Sequence, residues 1–317
     1  MSKRFVLAFD IGGTKVASGL IEIGQGADGG ASSPVPEVVG KASIPTDAME
    51  GGASVLARIL DFAQRQLEAA RELGGQAVAV GVGSAGVVDS DTGNITSATG
   101  TMPGWGGTPL GAELARVTGL EVKVVGDVAA HALGEHTFGA GRGYASTLVM
   151  GLGTGIGGAL VEGGRAQVGA HNVAGHVGHI HHGLAKGRAC SCGRSGHLEP
   201  IASGSGIAAE YERLSGKSAT GREVDDLAEA GDEIALQVVK TAGRATGESL
   251  GSLANILDPG VIVLSGSVVN SGPTWWGEVE AGWKDQAMNP VAATPLVRGQ
   301  LGSDAPLLGA AAATGLI

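Results

Sequence analysis

Apolar residues follow two rhythms along this chain of 317 residues. Short unbroken apolar runs bounded by glycine predict buried strands, and runs with apolar positions three and four apart predict helices lying on a sheet. Residues 4–9 and 16–23 are two such strands, and they flank the string Asp10-Ile-Gly-Gly-Thr-Lys15. From Ser54 to Leu73 the apolar positions Val55, Leu56, Ile59, Leu60, Ala63, Leu67 and Ala70 alternate with Arg58, Asp61, Arg65 and Glu68 at helical spacing. Gly74-Gly75 stops that helix, and Ala77 to Gly83 follows as a buried strand. Further on, Glu121 to Val125 predicts a strand and Val128 to Glu135 a helix. Helical spacing returns over Ile201 to Leu214 and Val224 to Leu257, 260–267 reads as a strand entering a glycine turn, and Pro306 to Gly315 as an alanine-rich helix. Gly24 to Pro36 reads as a surface loop, and 93–105 as irregular.

One pattern occurs twice. Leu148 to Glu162 overlays the Leu7 to Glu22 region, from Ala8 on, with a constant offset of 140 residues, placing Gly153 on Gly13, Thr154 on Thr14, Ile156 on Val16, Leu160 on Leu20 and Glu162 on Glu22. Two copies of strand, Gly-Thr loop and strand predict a duplicated α/β fold with two domains facing each other across a cleft. Glycines let a backbone approach a phosphate, the threonine hydroxyl and nearby N–H groups donate to its oxygens, and Asp10 is suited to holding hydrated Mg2+. An ordinary hairpin turn also uses Gly-Gly, so the first string alone leaves both readings open. Gly153 to Gly158 also satisfies the G-x-G-x-x-G pattern of dinucleotide folds. That fingerprint needs a helix after its glycines, and Gly158 to Gly164 look like a strand and turn.

Composition narrows the function classes. The net charge of -10 and a pI near 5.2 argue against a nucleic-acid or anionic-membrane partner, either of which would need a basic face. Only five apolar residues separate Lys3-Arg4 from Asp10, too few for a signal-peptide core, and no apolar run reaches bilayer length. A cytoplasmic protein is expected. The two cysteines, Cys190 and Cys192, stand one residue apart, where a disulfide would be strained, so metal binding is the better reading. Around them, between Gly169 and Pro200, lie His171, His176, His179, His181, His182 and His197, six of the chain's eight histidines. Two further features have chemical and plain structural readings side by side. Ser84-Ala85-Gly86 leaves a strand end, as a ligand wall or as a simple connection, and Asp127 opens a helix, as a catalytic acid or as an N-cap.

In order along the chain, Asp10-x-Gly-Gly-Thr-Lys15, Gly126-Asp127 before an alanine-rich helix, Leu-Gly-Thr-Gly-Ile-Gly-Gly158, Ala174-Gly-His-Val-Gly-His179, Cys190-x-Cys-Gly-x-x-Gly196 and a strand ending Ser265-Gly266 resemble the ROK family of repressors, open-reading-frame proteins and sugar kinases. The resemblance covers nearly the whole chain. It implies the actin-like ATPase (ribonuclease H-like) fold, with a small domain of residues 1–125 and a returning C-terminal segment, 301–317, and a larger domain of residues 126–300 carrying a zinc loop. It further implies transfer of the γ-phosphoryl of ATP to a sugar hydroxyl, with Asp127 as general base. ATP and Mg2+ would be bound by Asp10, Gly12, Gly13, Thr14, Lys15, Gly153, Thr154 and Gly155, with Gly266 beside the adenosine. Gly86, Thr101, Gly126, His176, His179 and Glu199 fall at acceptor-contact positions. A structural Zn2+ would be held by His179, Cys190, Cys192 and His197, the last replacing a third cysteine, with His181 and His182 as alternative ligands. A homodimer or homotetramer is implied as well.

The chain departs from the family at three acceptor positions. Sugar-phosphorylating members carry asparagine, glutamate and asparagine where this chain has Gly126, His176 and, in a looser alignment, Thr101. A carboxylate accepts from two hydroxyls at once, whereas a neutral imidazole accepts one bond and donates one. The expectation is a kinase acting on a modified or amino hexose or a cyclitol, with ordinary glucokinase as the alternative. A non-catalytic sugar-sensing regulator is the alternative of another class. Family repressors place a winged-helix domain before the phosphate loop, which here begins at Asp10.

Overall fold

The structure is a computed structural model that describes residues 2–24 and 34–317, so most of the loop expected between Gly24 and Pro36 lies outside the described residues. The backbone divides into two compact units, Met1–Ser146 with Ala159–Ala174 and Gly299–Ile317, and Thr147–Gly158 with Gly175–Arg298. In chain order the first elements are β1 (Lys3–Ile11), β2 (Lys15–Glu22), β3 (Val38–Pro45), α1 (Gly52–Glu72), β4 (Gly75–Ser84), the short pair β5 (Val87–Val88) and β6 (Ile95–Ser97), α2 (Leu110–Thr118), β7 (Glu121–Gly126) and α3 (Asp127–Phe138). Then come β8 (Ser146–Leu152), β9 (Ile156–Glu162), β10 (Arg165–Ala166), α4 (Glu199–Ala202), α5 (Gly204–Ser215), α6 (Gly221–Glu229), α7 (Glu233–Leu257), β11 (Val261–Ser265), α8 (Pro273–Gln286), β12 (Leu296–Arg298) and α9 (Ala305–Ala312).

The first sheet has the order β3-β2-β1-β4-β7. β2 runs antiparallel to β1 and β3, while β4 runs parallel to β1 and β7. Its centre, β1, is apolar without alternation because both faces are covered. Phe5, Leu7, Phe9 and Ile11 pack on one side with Val55, Ile59 and Phe62 of α1, and Phe9 meets Phe62 edge to face at 5.8 Å. Val6 and Ala8 pack on the other side with Ala130 of α3 and Leu307, Leu308, Ala310 and Ala311 of α9. The second sheet repeats the strand order as β10-β9-β8-β11-β12, with β9 and β10 antiparallel and β11 parallel to β8 and β12. The doubled Gly-Thr pattern in the sequence is therefore one part of a doubled sheet. Among the described residues, no helix is long and apolar enough to cross a membrane.

Several boundaries differ from the apolar pattern for local reasons. The helical stretch from Ile201 is divided by Ser203, whose hydroxyl accepts from Gly206 N at 3.0 Å and caps α5. The stretch from Val224 breaks at Gly231, with φ 94°, after which Asp232 caps α7 through Ala235 N at 2.8 Å. The apolar pattern does not mark the strand β3 or the helices α2 and α8. Only Val38 is buried in β3, because this strand forms the edge of its sheet.

Glycine sets how closely α9 packs. A β-carbon at Gly309 would lie 1.7 Å from Ala130 O, one at Gly134 2.1 Å from Ala305 O, and one at Gly81 2.0 Å from Ala310 O. These are backbone obstacles that no side-chain rotation relieves. Gly309→Ala is expected to destabilise the protein by about 2–3 kcal/mol, read as a lower urea midpoint. Gly277→Ala, on α8 where a β-carbon meets nothing within 4 Å, is expected to be neutral or to stabilise by roughly 0.5–1 kcal/mol.

Candidate active site and metal centre

In the first unit the parallel strands β1, β4 and β7 end in register. Asp10 pairs with Gly83 and Gly83 with Val125, while Ser84 pairs with Gly126. Asp10, Gly83-Ser84 and Gly126-Asp127 therefore line up along the carboxyl edge of the sheet, where open α/β sheets bind ligands. Gly126 is the N-cap residue of α3, without a side-chain bond, and Asp127 is its first helical residue. The N-cap reading of Asp127 is thus not what forms. Its Oδ1 accepts from Val128 N at 2.8 Å, and the helix N-terminus favours its negative charge. Gly83 lets α3 approach, since a β-carbon there would sit 2.8 Å from Ala130 Cβ and 3.7 Å from Asp127 Cα. Burial, with the Asp127 carboxylate adding to it and Lys15 opposing, pushes the Asp10 carboxyl up from 3.8 to about 6.

The first Gly-Thr loop is braced from behind. Gly12 N donates to Lys15 O at 3.0 Å. Thr46 donates through its hydroxyl to Gly12 O at 2.6 Å and through its N–H to Thr14 O at 3.0 Å. Arg58 of α1 in turn holds Thr46 O at 2.5 Å and Asp47 O at 3.1 Å. Gly13, Thr14 and Lys15 are left exposed. Sequence reasoning missed Thr46 and Arg58. Thr46 follows the unpredicted strand β3, and Arg58 reads in the pattern as one more polar position on a helix.

Beside this loop lies the wall expected for an acceptor. Trp105, fully buried, donates through Nε1 to Ala85 O at 3.2 Å and so fixes the segment after β4. Gly86 has φ 95°, and a β-carbon there would meet Ser97 O at 2.8 Å. Thr101 is exposed, with its hydroxyl 2.7 Å from that of Thr99. Its carbonyl oxygen is 4.0 Å from where a Gly13 β-carbon would be, so the Thr101 segment adjoins the Gly-Thr loop. Nothing lies within 4 Å of the β-carbon position at Gly126.

The second unit has its own assembly. In the Gly153-Thr154-Gly155 loop, Gly153 N donates to Gly155 O at 3.0 Å, and Gly153 O accepts from Gly204 N at 2.8 Å. Thr154 O accepts from the Ser205 hydroxyl at 2.5 Å. Strand β9 follows this loop; the helix required by a dinucleotide fingerprint is not there. Glu199 accepts from Ile156 N at 2.9 Å with Oε2 and from the Ser191 hydroxyl at 2.6 Å with Oε1. At the end of β11, Gly266 has φ 98°, and a β-carbon there would lie 2.4 Å from Leu152 O, so only glycine fits.

His179, Cys190, Cys192 and His197 converge, one ligand atom from each lying within 4.8 Å of all the others. His179 Nδ1 is 3.4 Å from Cys190 Sγ, and His197 Nδ1 is 3.3 Å from Cys192 Sγ. Both cysteines are free thiols. Two imidazoles and two thiols suit a tetrahedral zinc ion. Burial lowers the His179 pKa and so favours the neutral, ligating ring, and it pushes the Cys190 thiol up. A bound divalent cation would draw that thiol back to thiolate. The alternative ligand His182 is committed elsewhere: its Nε2 is 3.2 Å from Glu248 Oε2 and its Nδ1 accepts from Leu184 N at 3.3 Å. His181 pairs by backbone with His197 and lies outside the four-residue group. His176 is exposed and stacks on His179 with ring centroids 6.0 Å apart.

Residues 6–314 match the ROK family. The chain is 32% identical over 326 residues to the glucokinase of Halalkalibacterium halodurans, covering 98% of this chain and 94% of that protein. It is 32% identical over 267 residues to the N-acetylmannosamine kinase of Shigella flexneri, covering 83% of each. Among solved structures it resembles the ROK hexokinase of Thermus thermophilus with a TM-score of 0.83 and 35% identity, covering 98% of this chain and 97% of that one. The twin mixed sheets are those of the actin-like ATPase fold, and with these relatives the protein is an ATP-dependent sugar kinase. The chain belongs to the ROK family.

The raised Asp10 pKa has a measurable consequence. A carboxyl at about 6 in the folded protein against 3.8 ordinarily is ionised at a cost to stability above pH 6, and that cost vanishes below the ordinary value. Asp10→Asn is expected to stabilise the metal-free protein by about 2–3 kcal/mol at pH 7.5 and about half as much at pH 5. Urea unfolding at the two pH values checks it; a gain that grows on acidification would contradict the assignment.

Proposed function

We propose that this ROK sugar kinase transfers the γ-phosphoryl of ATP to a hydroxyl of an acceptor that departs from plain glucose: a modified or amino hexose, or a cyclitol. One observation carries the reading. The phosphate loops and Asp127 keep the family's residues, while the changes fall on Thr101, Gly126 and His176, all acceptor positions by resemblance. The open space at Gly126 is where the family's asparagine side chain would project. At position 176 an imidazole replaces a carboxylate that could accept two hydroxyls. A site built on hydrogen bonds rejects ligands that leave its groups unpaired, so these changes alter the choice of acceptor more than the chemistry. Ordinary glucokinase is the second reading, favoured by the name of the Halalkalibacterium relative. Equal identity to an N-acetylmannosamine kinase leaves the choice of acceptor to the site residues.

In this mechanism Asp127 takes the proton of the acceptor hydroxyl as its oxygen attacks the γ-phosphorus, and ADP leaves. Phosphoryl transfer depends mainly on positioning and charge neutralisation. The backbone N–H groups of Gly12 to Lys15 and of Gly153 to Gly155, with the Thr14 and Thr154 hydroxyls, cradle the phosphates, and Gly266 borders the adenosine. Asp10 holds Mg2+, which when bound neutralises phosphate charge. His179, Cys190, Cys192 and His197 hold a structural Zn2+. Gly86, His176, His179 and Glu199 complete the acceptor contacts, Glu199 with the lone pairs that Ile156 and Ser191 leave it. The working form is a homodimer or homotetramer, in keeping with the resemblance.

An ADP-release screen over hexoses, amino sugars and cyclitols tests the acceptor. A modified hexose or cyclitol is expected to give the highest kcat/KM, and a preference for glucose over the whole panel would overturn the proposal. Asp127→Asn is expected to lower kcat by about 10^2–10^4-fold while Mg·ADP still binds; unchanged turnover would remove Asp127 as the base. A sugar-sensing regulator would release no ADP with any acceptor.

Metal analysis of purified protein is expected to find one zinc per chain. Cys190→Ser and His197→Ala should each lower that content, and His182→Ala should leave it unchanged.

A further inference from the structure

Ser191 stands between the two cysteines of the metal cluster, and its hydroxyl lies 4.0 Å from Cys190 Sγ while making a bond of 2.6 Å with Glu199 Oε1. The other oxygen of the same carboxylate accepts from Ile156 N at 2.9 Å. Ile156 is the first residue of β9, directly after the Gly153-Thr154-Gly155 loop. The fit at this junction is close, since a β-carbon on Gly155 would come within 2.7 Å of Glu199 Oε2. One carboxylate thus spans from the segment between two metal ligands to the base of the second Gly-Thr hairpin. Bonds to an ionised acceptor are short and about twice as strong as neutral ones, which makes this a stiff connection.

We propose that Ser191 is a positioning residue. Through Glu199 it couples occupancy of the His179, Cys190, Cys192 and His197 cluster to the shape of the Gly153–Gly155 loop, so that metal loading sets nucleotide affinity. With a cation bound, Cys190 and Cys192 are fixed on either side of Ser191, and its hydroxyl is held on Glu199. Without one, the Cys-Ser-Cys segment is free to move, and the Glu199 carboxylate loses the partner that orients it toward Ile156 N. The coupling runs both ways, because any factor by which metal strengthens nucleotide binding is the factor by which nucleotide strengthens metal binding. The inference rests on the reading that Gly153–Gly155 holds nucleotide phosphate.

Calorimetric titration of Mg·ADP into zinc-loaded and chelator-stripped full-length protein tests it, using wild type, Ser191→Ala and Ser191→Thr. In the loaded state Ser191→Ala is expected to weaken binding about fivefold with unchanged zinc content, and Ser191→Thr, which keeps the hydroxyl, to stay within twofold of wild type. Stripping should weaken the wild type by a similar factor but Ser191→Ala by less than twofold, because the variant has already lost the connection. The proposal is overturned if loaded Ser191→Ala binds like wild type, if stripping weakens the variant as much as wild type, or if Ser191→Thr fails together with Ser191→Ala. The comparison of the two loaded variants stands even if the stripped protein unfolds. Thr154→Val and Gly155→Ala separate the two layers: if both bind Mg·ADP normally, the reading of the loop fails, whatever Ser191 does.

Discussion

Two carboxylates that repel each other, Asp10 and Asp127, are held near one another at the carboxyl edge of a parallel sheet. Packing alone would not select that arrangement, because burial and the neighbouring charge both oppose ionisation of Asp10. The surrounding structure over-determines it. β1 is buried on both faces, α3 starts where β7 ends, and glycines at 83, 134 and 309 let α3 and α9 lie backbone against backbone on the sheet. On the proposed function, a cation brought to this edge would turn the repulsion into a binding site.

The two hairpins show how a duplicated element keeps its motif while its supports diverge. Both sheets have the same strand order, and both hairpins carry Gly-Thr. The first loop is braced by Thr46, itself held by Arg58, through bonds to backbone carbonyls. The second is braced by Gly204, Ser205 and the Glu199 carboxylate, which brings it under the influence of the cysteine-rich segment. A mutation behind the first loop would act through α1. One behind the second would act through Gly204, Ser205 and Glu199.

Much of this was legible in the chain. The apolar runs mark β1, β4 and β8, and the recurrence at a spacing of 140 residues announces the duplication. The spacing of Cys190 and Cys192 excludes a useful disulfide before any coordinates are seen. Less legible were the elements whose stability comes from neighbours: the edge strand β3, with Val38 alone buried, and α8, whose Trp275 and Trp283 are covered by other elements. The choice among the histidines was equally hidden, because only three-dimensional contact shows that Glu248 engages His182 while His197 turns toward Cys192.

The sequence by itself determined the kind of protein: two Gly-Thr loop motifs, an acid at a helix start, a Cys-x-Cys segment among histidines, and a family resemblance over nearly the whole chain. These are local properties, set by residue type and short spacing. Tertiary structure alone decided which groups act on each other. Asp10 is raised by burial and by Asp127, far along the chain. Thr46 holds a loop more than thirty positions before it, and Glu199 joins Ser191 to Ile156. Hydrogen bonds and charges work over a few ångströms of space, and the distance that matters to them is fixed only when the sheets and helices pack.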